Sequence, residues 1–134
     1  MNLLNNIKIL IIILILVACS NKTEILPDEY LVKAKLNNQY KSTILIEGDK
    51  VSKSRFHLNI IPENAGITWK AADNKFSTPE KITKDYNTIL ISGKPNYVGE
   101  IYIDIYWSTY GTNINTGKVF QKRYILKVEE LNYR

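Results

Sequence analysis

The stretch Ile101-Tyr102-Ile103-Asp104-Ile105-Tyr106-Trp107 decides the fold. Its apolar residues recur at every second position, a spacing that fits a strand and not a helix of 3.6 residues per turn. Ile101, Ile103, Ile105 and Trp107 point to one side, and Tyr102, Asp104 and Tyr106 to the other. A half-buried strand with a polar and aromatic outer face is the expectation.

The same alternation spreads outward along the chain. Phe120 to Glu129 presents Phe120, Tyr124, Leu126 and Val128 as an inner set. Lys122 falls on that inner face, so it is expected at the strand's open end or at a bulge. Earlier strands are predicted over Tyr30 to Leu36 (Tyr30, Val32, Ala34 and Leu36 inward) and Tyr40 to Glu47 (Tyr40, Ile44 and Ile46 inward). Arg55 to Ile61, Ile67 to Ala71 and Thr88 to Ser92 complete a set of about seven. Turn signals separate them: Asn37-Asn38, Gly48-Asp49, Pro62-Glu63-Asn64, Asp73-Asn74, Lys94-Pro95-Asn96 and Gly111 to Gly117. The prolines at 27, 62, 79 and 95 stand between the strands rather than inside them. Pro79 to Asp85 allows a turn or two of helix at most. Short strands at this spacing predict an all-β sandwich or barrel.

"IIPENAG" followed by "ITW", and later "ILISGKPNYVGEIYIDIYW", resemble the immunoglobulin-like domains of bacterial surface proteins, relatives of cadherin-like and dystroglycan-like modules. Pro62, Gly66 and Ile67 match that family's first turn element. Ile91, Gly93, Pro95, Gly99, Tyr102, Ile103 and Ile105 match its second, and Asn38-Gln39-Tyr40 resembles the start of its second strand. Lys94 replaces the family's usual threonine, and "PENAG" is longer than its compact turn. The resemblance implies an immunoglobulin-like β-sandwich over residues 25–134. These motifs specify backbone turns, not chemistry.

At the N-terminus, "IIILILVACSN" (Ile11 to Asn21) is an apolar run that stops at the chain's one cysteine. Ile9 to Ala18 as a helix would reach about 15 Å, half of a hydrocarbon core of about 30 Å, so it is too short to span. With Lys8 before it, the segment reads as a secretory signal over residues 1–18. Leu16-Val17-Ala18-Cys19 resembles the lipobox of bacterial lipoproteins. That implies cleavage between Ala18 and Cys19, a diacylglyceryl thioether on Cys19 and an N-acyl chain on the new terminus. Two or three acyl chains hold a protein far more firmly than one. Ser20 resembles the outer-membrane sorting pattern of Gram-negative lipoproteins, and the protein is expected to face the periplasm. Residues 19–24 are a short tether, and Ser20 to Glu24 extends only about 15–18 Å.

Composition removes several functions. A single cysteine forbids an internal disulfide framework, and a single histidine leaves little for a nitrogen- or sulfur-ligated metal site. The net charge of +5 is scattered, with Lys122-Arg123 the only adjacent basic pair, which is not a nucleic-acid stripe. His57 lies between Phe56 and Leu58 as a surface strand residue, without a nucleophile motif beside it. The six glycines are too widely spaced to cradle phosphate. Glu47 and Asp49 flank a turn but belong to no dense acidic cluster of the kind calcium needs. No catalytic residues, metal site or cofactor other than the lipid on Cys19 are assigned.

Nine tyrosines favour binding instead. The candidate interaction surface comprises Tyr102, Tyr106 and Tyr110 with Asn113, Ile114 and Asn115 of the Ser108–Gly117 loop. The expected function is that of a membrane-anchored, non-catalytic protein-binding or accessory module of the cell envelope. Its partner would be an envelope or secreted protein, as for an inhibitor, an immunity-type protein or a component of an envelope complex. The alternatives are a glycan- or small-ligand-binding module, using Trp69, Trp107 or Tyr106 as a platform, and a structural spacer. Oligomeric state is not specified by these features. The lipobox makes a direct prediction: Cys19→Ser should leave a soluble or unprocessed precursor in cell fractionation, and wild-type partition with membranes would contradict it.

Overall fold

The computed structural model describes residues 2–8, 22–111 and 117–132. Residues 2–8 are helical, and among the described residues no helix is long and apolar enough to cross a membrane. The lipobox residues Leu16 to Cys19 and the loop residues Asn113, Ile114 and Asn115 lie outside the described residues.

Among the described residues nine strands follow: β1 (Glu24–Ile25), β2 (Glu29–Tyr30), β3 (Ala34–Lys35), β4 (Tyr40–Leu45), β5 (His57–Ile61), β6 (Ile67–Asp73), β7 (Lys84–Gly93), β8 (Gly99–Ser108) and β9 (Val119–Glu129). The expected all-β class is what the chain adopts, and the strands divide into two sheets. In one, β9 pairs antiparallel with β8, β5 pairs β8 on its other side, and β1, β2 and β3 run parallel to β9 along the edge. The second has the order β4-β7-β6, antiparallel throughout.

The predicted alternation in β8 holds. Ile101, Ile103 and Ile105 are fully buried and Trp107 nearly so. Tyr124, Leu126 and Val128 continue this layer, and Ile44, Ile89 and Ile91 of the second sheet join it in one core. Ladder pairing satisfies the backbone while both inner faces exclude water, which is the condition for a stable two-layer β structure.

Three expectations need correction. Tyr30 and Val32, read as inward, are 63% and 78% exposed. The edge chain is not one strand: Leu26, Leu31 and Leu36 donate their N–H groups to the carbonyls of Gln121, Ile125 and Glu129 at 2.8–2.9 Å. Five residues on the edge therefore match four on β9, and each surplus residue shifts the inward parity. Leu26, Leu31 and Leu36 pack against the core in place of Tyr30 and Val32. Arg55 belongs to a 3-10 turn, Lys53–Arg55, and the strand begins at His57. No helix forms over Pro79 to Asp85; Thr78 and Lys81 make an isolated β-bridge, and β7 starts at Lys84.

Lys122 meets its expectation at an open rim, without a bulge in the β8–β9 register. Its ammonium pairs with Glu29 at 2.5 Å and lies 4.8 Å from the Tyr124 ring centroid. Burial opposes its charge, but Glu29 and the tyrosine outweigh that and raise its pKa. At the far end of the same edge, Lys33 and Lys35 hold the Glu129 carboxyl down to about 2. The exposed Lys33 and Lys35 pairs add little stability.

The two turn glycines matched by the family motif face one another. A Cβ on Gly93 would sit 2.1 Å from the Gly66 carbonyl oxygen, and one on Gly66 would sit 2.1 Å from that of Lys94. Both residues also have φ in the region that favours glycine, +82° at Gly66 and +142° at Gly93. Gly93 pairs with both Tyr40 and Ile67, so the contact joins all three strands of the second sheet. Gly93→Ala should cost about 2–4 kcal/mol in urea unfolding. A midpoint unchanged from wild type would show that this close approach is dispensable.

Candidate interaction surface

The outer face of the β1-to-β3/β9/β8/β5 sheet is built by cross-strand register. One row across it is Tyr30, Ile125, Tyr102 and Ile61. A second is Ile25, Gln121, Tyr106 and His57. Between them Arg123 and Asp104 stand opposite one another, with Asn59 beyond.

The middle row is an ion pair held in fork geometry. Arg123 donates from Nε to Asp104 Oδ1 at 2.7 Å and from Nη2 to Oδ2 at 2.8 Å. Asp104 is almost completely buried although it lies on the outer face, and Arg123 is partly open to solvent. These hydrogen bonds raise the already high pKa of the guanidinium. The Arg123 guanidinium also lies 4.4 Å from the Tyr102 ring centroid, within cation–π range. Tyr102 donates its hydroxyl to Glu100 Oε2 at 2.9 Å, which raises the hydroxyl's pKa. Tyr102 is therefore braced at both ring and hydroxyl. Ile125, between Tyr30 and Tyr102, is buried there without joining the inner core. Around this fixed centre Ile25, Tyr30 and Ile61 remain 74%, 63% and 47% exposed.

Of the sequence-derived surface residues, Tyr102 and Tyr106 lie on this face, both half-buried. Tyr110 does not join them. It stands beyond the end of β8, 57% exposed, with its N–H donated to the Lys50 carbonyl at 3.2 Å. The sequence reading missed Ile25, Tyr30, Ile61 and Arg123. Parity alone marks Arg123 as outward, but its pairing with Asp104 depends on the β8–β9 register.

The remaining candidates for chemistry are separated. Trp107 is buried and stacked on Phe120, with centroids 5.3 Å apart, while Trp69 packs 5.3 Å from Phe56. Trp107 thus has no free face of the kind sugar stacking requires, while Trp69 is half-buried at the wall of a cleft with Leu58 and Glu63. His57 is exposed opposite Tyr106. Among the described residues no three of His, Cys, Asp and Glu converge as metal ligands. A cleft of about 510 Å³ opens between the β1–β2 edge and β4, lined in part by Leu26, Trp107 and Tyr124, and the Lys122–Glu29 pair lies in its wall.

The Arg123–Asp104 pair can be tested as a unit. Arg123→Met should lower the melting temperature by several degrees because it strands a buried carboxylate, whereas Arg123→Met with Asp104→Leu should recover most of the loss. An additive double variant in calorimetry would show that the two residues act independently.

No family model matches the chain, and no curated protein matches it. Among solved structures it is similar to an endo-fucoidan hydrolase from glycoside hydrolase family 107, at 16% identity and a TM-score of 0.43. That likeness covers 80% of this chain and 13% of the hydrolase, and at this level it assigns no activity.

Proposed function

We propose that the protein is a lipid-anchored envelope module that binds another protein through the outer face of its β1-to-β9 sheet and performs no catalysis. The observation that carries this reading is the placement of three exposed apolar side chains, Ile25, Tyr30 and Ile61, around a braced Tyr102 and an Arg123–Asp104 pair. An ordered aromatic and arginine centre loses little conformational freedom on binding, and exposed aliphatic residues beside it gain by leaving water. The face is a sheet surface rather than a deep pocket, which favours a macromolecular partner over a small ligand.

The fold behind it is an immunoglobulin-like sandwich. Counting β1, β2 and β3 as one interrupted edge gives seven strands, divided between the two sheets as such a domain requires. The lipobox supports attachment through Cys19 and a position on the periplasmic side of a membrane, the outer one in a Gram-negative cell. The partner is accordingly an envelope or secreted protein, as for an accessory, inhibitory or immunity-type lipoprotein. With both tryptophans packed against other rings, a glycan platform has less support.

A photo-crosslinking amino acid at Ile61, introduced into the anchored protein in its native envelope, should trap a discrete partner. The same group at Leu45, exposed on the other sheet, should not. Tyr106→Ala with Ile61→Asp should weaken that complex at least about tenfold while leaving thermal stability within about 0.5 kcal/mol. Equal crosslinking from both sheets would contradict the assignment of this face.

A further inference from the structure

We infer that the end of the domain nearest the tether is a second interaction surface, which rests on the lipid bilayer itself and sets the domain upright on the membrane. This inference rests on the anchoring of Cys19 proposed above.

Its first support is where the tether joins the fold. β1 begins at Glu24, opposite Phe120, which in turn pairs with Trp107 near the end of β8. The chain from Cys19 therefore reaches the sheet at the end that carries Thr109, Tyr110 and Lys118. Five Cα steps separate Cys19 from Glu24, a reach of about 17 Å. The opposite end, where β8 starts, is farther away by the strand's length, about 30 Å.

The second support is what that end exposes. Phe76, in the β6–β7 connection, is 81% exposed, the most exposed large apolar side chain among the described residues. Ile82 in the same connection is 61% exposed, and Tyr110 is 57%. The connection is cross-braced: Asn74 N–H donates to the Thr83 carbonyl at 2.8 Å, and Phe76 N–H to Asn74 Oδ1 at 3.1 Å. Ser77 Oγ accepts from Thr83 N–H and donates to its carbonyl, both at 3.0 Å. Phe76 is thus held outward by its own turn. These features are contiguous, because Lys50 bonds Tyr110 through its carbonyl and shares a cleft of about 520 Å³ with Lys75 and Phe76.

Lysines stand among these apolar residues. Lys75 lies 5.2 Å from the Phe76 ring centroid, and Lys50, Lys81 and Lys118 are exposed on the same end. Of the acids there, Asp73 pairs with Lys84, and Asp85 accepts from Asn87 N–H and Thr88 Oγ1. Asp85 keeps its charge, and with Glu24, Glu47, Asp49 and Glu80 it offsets these lysines, so the apolar residues carry the contact. Aromatic and aliphatic tips beside lysines suit the bilayer interface.

The test uses the mature lipidated protein in phosphatidylcholine vesicles containing phosphatidylglycerol. Because lipidation consumes Cys19, a cysteine placed at Phe76 or at Tyr97 on the far end can carry an environment-sensitive dye. Quenching by nitroxide-labelled lipid should be several-fold stronger at 76 than at 97, and the difference should shrink when Ile82→Asp and Lys75→Glu are added. Equal quenching at both sites in protein that sediments with the vesicles overturns the inference. An unmodified Cys19 by mass spectrometry would overturn the anchoring reading instead. In that event the unlipidated chain, coupled at Cys19 to a maleimide phospholipid, still decides the question. Slowed acetylation of Lys75 and Lys81 relative to Lys94 and Lys127 upholds the surface, and equal rates refute it.

Discussion

The structure depends on one dry layer of branched aliphatic side chains. Ile101, Ile103 and Ile105 of β8 are fully buried, and Ile89 and Ile91 of β7 with Ile44 of β4 are buried in the same core. With Cys19 as the only cysteine, no disulfide can link the two sheets, so packing between them supplies the cohesion. Every outward feature follows from that layer. Once the isoleucines of β8 face inward, strand alternation sends Tyr102, Asp104 and Tyr106 outward. The close contact of Gly66 and Gly93 then closes the second sheet at its far corner.

On the outer side, the Asp104–Arg123 pair is the organising element. A carboxylate this deeply covered requires a charged partner, and Arg123 also supports the ring of Tyr102. The result is a preorganised polar centre with apolar residues left open around it. If the end bearing Phe76 and Tyr110 rests on the bilayer, the strands stand across the membrane plane and this face looks sideways. A partner held in or near the same membrane would meet it without the domain having to turn. The short tether would then limit the distance of that face from the lipid.

Much of this is legible in the sequence where strands are long and half-buried. The inner sets of β8 and β9, the glycine and proline turns and the rim position of Lys122 all follow from period-two parity and turn chemistry. The N-terminal edge was not legible, because its hydrogen bonds advance five residues for every four on β9 and parity is lost at each step. Tyr30 therefore changes from a predicted core residue to an exposed member of the outer face. Tyr110 separated from Tyr102 and Tyr106 because it lies past the strand's end, where alternation no longer applies. The part played by Asn87 was equally hidden. Its side chain donates to the carbonyls of Ile46 and Asp49 and accepts from Val51 N–H, tying the β4–β5 connection to β7 across nearly forty residues of sequence. Such contacts depend on tertiary placement, which no local pattern encodes.

The proposed lipid anchor would link the tether, the membrane-facing end and the sideways binding face. Its most direct test is the mass of the N-terminal proteolytic peptide from protein extracted out of the native envelope. A peptide that begins at Cys19 and carries a thioether-linked diacylglyceryl group is the expected result. A peptide with free Cys19, or one that continues upstream through Ala18, would contradict it.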